Sequence, residues 1–289
     1  MSDGAATSLR AAWDELMTQL QAAREAIDDP RRYPPPPTDR NLAEGYRYLL
    51  GFLYGAIGRA LNDPSYPTFR RAIEPIDKST IDNADAVYLC APIDGDQSYV
   101  VRGRAADTRH WRGEPPAPNG PKAPQYVIFE TPSGYAGDSG SIAELRPGSR
   151  ANGGVLDSSQ LQVAADGSFE VLLAPSRPPG HAGNFLKTKA TRRVTRPDGS
   201  VDVVEHTSRW VVLRELFHDW EREQLLDLEI VRLAAEGTHP EPLGPERAAA
   251  QLRRVGEITK NQMYFWNEFY AVTLETYEDR DGDGKRFMP

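Results

Sequence analysis

VYLCAPIDGDQSYVVRGRA, residues 87–105, sets two runs of β-branched and aromatic residues on either side of Asp94-Gly95. Extended runs joined by Asp-Gly predict a β-hairpin, because aspartate and glycine accept the backbone angles of a tight turn. A two-residue turn would set Leu89 opposite Val100 and Cys90 opposite Tyr99. A three-residue turn would set Leu89 opposite Val101 and Tyr88 opposite Arg102. Either register leaves both faces largely apolar, which predicts an interior position covered on both sides rather than a wet edge.

Two further Asp-Gly pairs repeat the pattern. Asp166-Gly167 lies between 161–163 and 169–173, and Asp198-Gly199 lies between 191–195 and 201–205, so two more hairpins are expected. Strands are expected at 125–130 and 209–217. The segment LLDLEIVRL, 225–233, fits a helix or a half-buried strand, and the strand is preferred. Residues 64–75 read as a loop with one helical turn around 69–73. Together these predict an α+β, mainly antiparallel β protein, with a sandwich or jelly-roll-like sheet over about 86–233 and flanking helices.

Outside the sheet region, Leu9, Trp13, Leu16, Met17, Leu20 and Ala23 recur at helical spacing, predicting an amphipathic helix over 9–27. The run Tyr33-Pro34-Pro35-Pro36-Pro37 that follows cannot be helical, so residues 1–37 are expected to form a helical arm and a stiff linker. Residues 38–289 would then hold a helix, the sandwich and a C-terminal helix. Thr38 or Asp39 can cap the helix that runs to Leu61, where Gly51, Gly55 and Gly58 mark a face of close packing. Its apolar stretch, 48–58, is about half of the ~20 residues a bilayer span needs. Pro245 starts the last helix, expected to reach Leu274.

A net charge of −8 repels a phosphate backbone, so no nucleic acid partner is expected. The N-terminus contains acidic residues and no continuous apolar core of a secretory signal. A cytoplasmic protein without a membrane partner is the expectation. Cys90, the sole cysteine, excludes an internal disulfide and a cysteine zinc cage, and its apolar context predicts a buried, inert thiol. No cofactor motif is present, and no cofactor is expected.

Candidate site residues gather in a few places. Asp82, Asn83 and Asp85 lead into the hairpin, and Arg102 would return beside Tyr88 within reach of Asp85. Such a pair would close the sheet as a buried ion pair, or Arg102 and Tyr88 would offer donors to a ligand oxygen with Asp85 orienting the arginine. His218 and Asp219, near Glu215 and Glu221, put an imidazole beside carboxylates that could move protons near neutral pH. Trp111, Trp210 and Trp220 could serve as aromatic walls for a ligand. Asp279, Asp281, Asp283 and Gly284 match the first half of a calcium loop, whose second half is missing. Gly137-Asp138-Ser139-Gly140 is similar to the nucleophile motif of chymotrypsin-type proteases but lacks a suitable histidine upstream, so a glycine turn is expected. The basic run Lys187, Lys189, Arg192, Arg193 and Arg196 is expected on a solvated edge strand.

DNADAVYLCAPIDGDQSYVVRGR (82–104), LRELFHDWERE (213–223) and YEDRDGDGKRFMP (277–289) resemble uncharacterised actinobacterial proteins carrying the domain of unknown function numbered 1214. The resemblance implies a β-sandwich or jelly-roll with added helices, and that this chain matches the N-terminal and middle part of such a protein. It implies no catalytic residues. Three functional expectations follow from the residues. The first is a small-molecule or carbohydrate-like ligand bound in a sandwich groove by Asn83, Arg102, Trp210 or Trp220. The second is a cofactor-free acid/base enzyme using His218 and Asp219, or Tyr88, Arg102 and Asp85. The third is a structural homo-oligomer formed through the Gly51/Gly55/Gly58 helix.

Overall fold

In a computed structural model that describes residues 3–79, 83–195 and 198–278, two compact units are interleaved along the chain. One unit comprises residues 1–60, 136–145 and 243–289, and the other 61–135 and 146–242. This division differs from the expected break at residue 37.

The first unit is helical. Helix α1 (Asp3–Glu25) buries Ala12, Leu16 and Ala23, and packs along α3 (Pro245–Glu278) rather than standing apart as an arm. The two approach closely at Gly256, where a β-carbon would lie 2.9 Å from Gln19 Cβ. Helix α2 (Asp39–Leu61) begins as its sequence predicts, with Thr38 Oγ1 accepting the Asn41 amide at 3.2 Å. It buries Gly51, Phe52, Gly55 and Ala56 within this unit, so the expected oligomer face of small residues is largely occupied by the chain itself. No described helix is long and apolar enough to cross a membrane.

The second unit is a sandwich. Its five-stranded antiparallel sheet has the order β1-β2-β10-β4-β5, from β1 (Arg70–Ile73), β2 (Ala86–Pro92), β4 (Tyr126–Pro132), β5 (Asn152–Asp157) and β10 (Trp210–Leu216). The facing sheet has the order β11-β3-β6-β7, from β3 (Tyr99–Arg104), β6 (Ser168–Ala174), β7 (Asn184–Lys187) and β11 (Asp227–Arg232). Strands β6 and β7 are parallel, and the other pairs in this sheet are antiparallel. A separate ribbon joins β8 (Lys189–Thr195) to β9 (Val201–Thr207). The α+β sandwich expected from sequence is therefore the fold observed. The basic residues Arg192 and Arg193 are exposed on the β8–β9 ribbon, and Arg196 lies outside the described residues.

The expected hairpin at 87–105 is not formed. Strand β2 pairs with β1 and β10, whereas β3 pairs with β11 and β6, so residues 93–98 carry the chain from one sheet to the other. Gly95 packs so closely on Ser208 that a β-carbon would lie 2.5 Å from the Ser208 carbonyl oxygen, and its own carbonyl accepts the Thr188 hydroxyl at 2.7 Å. Both strands are nevertheless interior members of their sheets, the position their composition indicated. The Asp166-Gly167 turn forms, with Gly167 at φ 84°, but 161–163 is not a strand and β6 pairs elsewhere. Only Asp198-Gly199 joins the two strands of its expected hairpin. Residues 227–232 are a strand, as preferred, and 70–73 are a short edge strand instead of a helical turn.

Inward residues of the two sheets make one core, with Val101, Val171, Leu173 and Leu186 facing Val127, Phe129, Leu156, Val211 and Leu213. Cys90 is fully buried, as its context predicts. Tyr99, also fully buried, accepts the Asp94 amide at 2.8 Å and donates its hydroxyl to the Pro64 carbonyl at 2.9 Å. Tyr99→Phe keeps the ring but strands both backbone groups, and should destabilise the protein by about 1–3 kcal/mol. Urea denaturation checks this, and an unchanged midpoint would mean that the hydroxyl does not hold the crossover.

Candidate functional site

The change of sheet between β2 and β3 separates the residues expected to act together. Asp85 precedes β2, and its carboxylate accepts Trp220 Nε1 at 3.0 Å while its carbonyl accepts the Phe217 amide at 2.7 Å. Asn83 Oδ1 accepts the Asp85 amide at 2.9 Å. Tyr88 lies on β2 with the Arg214 guanidinium 5.4 Å from its ring centre. Arg102 belongs to the other sheet, where it bonds Glu170 and Glu236. The expected Asp85–Tyr88–Arg102 group and its buried ion pair are therefore not assembled. Asp82 lies outside the described residues.

The second acid/base candidate also comes apart. His218 is exposed, and its backbone amide donates to Glu223 Oε2 at 2.9 Å. Asp219 organises its own turn, with Oδ1 accepting the amides of Glu221 and Arg222 and its carbonyl accepting the amide of Glu223 at 2.8 Å. Trp111 and Trp210 are buried, so neither offers a ligand a free face. Trp220 is 53% exposed but stacks on Phe217, with ring centres 4.2 Å apart. Ser139 of the glycine turn places its hydroxyl 2.7 Å from Glu144 Oε2, and Glu144 also accepts the amides of Gly137 and Ser139. That serine supports its own loop. Asp279, Asp281, Asp283 and Gly284 lie outside the described residues.

What the fold does assemble is a concavity of about 680 Å³ on the sandwich unit, bordered by Arg102, Gly103, Gln162, Ser168, Glu170 and Asn184 among others. Strand alternation builds it. Val101 and Val171 point into the core, so their neighbours Arg102 and Glu170, which face each other across β3 and β6, point outward. Arg102 Nε donates to Glu170 Oε1 at 3.1 Å and Nη2 donates to Glu236 Oε1 at 2.7 Å. These bonds to Glu236 and Glu170 hold the guanidinium pKa above its ordinary value. Gly103 admits no side chain, because a β-carbon there would overlap the Phe169 ring.

One wall is the loop that follows Leu161. Asn184, almost fully buried, accepts the Gln162 amide at 2.7 Å and donates to the carbonyls of Gln162 and Glu170 at 2.8 and 2.9 Å. The Asp166-Gly167 turn closes the same loop, with Arg104 Nη1 donating to the Asp166 carbonyl at 2.8 Å and the Ala105 amide to the Gly167 carbonyl at 2.9 Å. The rim is thus preorganised while the side chains of Gln162 and Glu170 stay exposed. Sequence reasoning picked out Arg102 alone from this group. The alternation of Ser168 and Glu170 with Phe169 and Val171 marks an outward polar face, but no local signal ties Asn184 to Gln162.

No protein-family model and no curated protein matches the chain. A solved structure does. It is the crystal structure of an uncharacterised protein from Burkholderia cenocepacia, similar with a TM-score of 0.70 and 24% sequence identity over 95% of this chain. The chain spans 63% of the length of that protein. The likeness shows the fold.

Glu223 and Glu215 are buried carboxylates elsewhere in the sandwich unit. Glu223 contacts Lys122 Nζ at 2.9 Å. Burial alone would raise its pKa, but Lys122 and the amides of His218 and Gln125 outweigh burial and hold it below the ordinary value. Glu215 is different. It occupies an inward position of β10 between Val87 and Val127, fully buried, with the Leu226 amide donating to Oε2 at 3.0 Å and no hydrogen-bond partner for Oε1 among the described residues.

Burial raises the Glu215 pKa from 4.5 to about 7, partly countered by the Leu226 amide and Arg71. Between these values the folded protein holds a proton that the unfolded chain has released. Stability that is full below about pH 4.5 is therefore lost progressively as pH rises to about 7, by at most about 3–4 kcal/mol. Glu215→Gln should remove this component of the pH dependence between pH 4.5 and about 7, as measured by denaturant unfolding across that range. An unaltered slope would mean that Glu215 ionises normally.

Proposed function

We propose that the protein binds a small, neutral, polyhydroxylated or carbohydrate-like molecule in the concavity beside Arg102. The observation that carries the reading is the outward Arg102–Glu170 pair, set beside the exposed Gln162 side chain in a hollow of about 680 Å³. That size is in the range of small-molecule sites. Guanidinium, carboxylate and amide groups side by side present donors next to acceptors, which is what vicinal hydroxyls require. Because Glu170 and Glu236 both bond Arg102, the hollow has no surplus positive charge to favour a phosphate or another anion. Trp210 and Trp220 take no part in this site. Membership of the family carrying the domain numbered 1214 is retained in this proposal on the strength of its three sequence segments.

Arg102→Ala and Glu170→Ala should abolish the chemical-shift changes or thermal stabilisation produced by a binding sugar or polyol. Arg102 and its partners are solvent-exposed, so both variants should leave the melting temperature of the free protein nearly unchanged. A panel of monosaccharides, disaccharides, polyols, organic acids and amines supplies the ligands. Binding by organic acids alone, or binding that survives both substitutions, would overturn the proposal.

A further inference from the structure

We infer that the helical unit pairs with a second copy of this chain through the exposed side of α1 and α2. These helices run antiparallel. Ile27 sits against Gly45, where a β-carbon would lie 2.8 Å from Ile27 Cγ2, Arg24 Nε donates to Tyr46 Oη at 3.1 Å, and Leu16 shares an apolar cluster with Ala56. Trp13 and Met17 precede Arg24 by 11 and 7 residues, about three and two helical turns, so they lie on the same side of α1 as Arg24. Tyr46, Leu50, Tyr54 and Ile57 follow one another at spacings of four, four and three along α2. Because Arg24 meets Tyr46, the two stripes border one another and form one surface.

All six large apolar side chains are between 39% and 64% exposed, whereas Phe52 and Ala56, on the other side of α2, are buried. A soluble chain rarely leaves so much contiguous apolar surface bare. At these exposures the six side chains present on the order of 600 Å² per copy, so two copies would bury about 1,200 Å², the lower end of a specific interface.

Charge at the rim fits a copy of the same surface. Arg24 pairs with Asp28 at 2.8 Å and Arg47 with Glu44 at 3.4 Å, so identical faces meet without a net charge opposing them. The same neutral rim, together with a net charge of −8, supplies none of the surplus lysine and arginine that draw an amphipathic helix to an anionic membrane. Two antiparallel helices laid on their two-fold mates make a four-helix contact, in which the stripe spacing suits knobs-into-holes packing.

Sedimentation velocity and light scattering of the full chain at micromolar concentration test the inference. The expected particle has twice the chain mass of 32.1 kDa. Leu50→Glu with Ile57→Glu should return it to single-chain mass, with helical circular dichroism and melting retained at low concentration. Trp13→Lys, on the other helix, should weaken association independently and guards against misfolding of the double variant. A wild-type chain of single mass would overturn the inference, as would a dimer unaffected by both sets of substitutions. So would a single-mass chain that instead sediments with zwitterionic phospholipid vesicles.

Discussion

The chain changes sheets between β2 and β3, and Tyr99 holds that crossing. Its hydroxyl, inside the sandwich, takes the Asp94 amide and gives its proton to the Pro64 carbonyl, so one side chain satisfies two backbone groups of loops that no strand could pair. Ser208 packs against Gly95 and Thr188 bonds its carbonyl, clamping the crossing from the other side. With Tyr99 and Val101 pointing inward, alternation leaves Arg102 no choice but the outer face. The position of the crossing thereby determines which side chains reach the core and which reach the candidate site.

This explains why the architecture was legible while its central pairing was not. Asp94-Gly95 is a local turn signal, and apolar runs on both sides satisfy a hairpin and a sheet-to-sheet arch equally well. What separates them is long-range. Strand β3 is saturated by β6 and β11, and β2 by β10 and by the preceding strand β1; β6, β10 and β11 lie far from 87–105 in sequence. Where a turn's own strands had no better partners, as at Asp198-Gly199, the local signal sufficed. The edge strand at 70–73 carries two arginines in four residues, and β7 is only four residues long, so neither shows a period.

The sites follow the same division. Arg102 could be singled out from sequence, but its partners could not, because Glu236 and Glu170 reach it only through the stacking of β11, β3 and β6. Asn184 shapes the concavity by bonding backbone, a role that neither composition nor spacing encodes. Glu215 was more legible. The alternation Val211, Leu213, Glu215, Phe217 puts a carboxyl on the inward row, and the structure leaves it there with one bonded oxygen. On α2, the glycines pointed to close packing, which occurs inside the chain, while the aromatic and aliphatic stripe on the other side stays exposed.

The crossing itself is open to direct measurement by interstrand nuclear Overhauser effects in an isotope-labelled protein. The sandwich requires contacts between the backbone protons of Val101 and both Val171 and Ile230, and between Leu89 and Leu213. Contacts joining Leu89 to Val100 or Val101 as neighbouring strand partners would instead establish the local hairpin. They would contradict the crossing and the outward placement of Arg102 that depends on it.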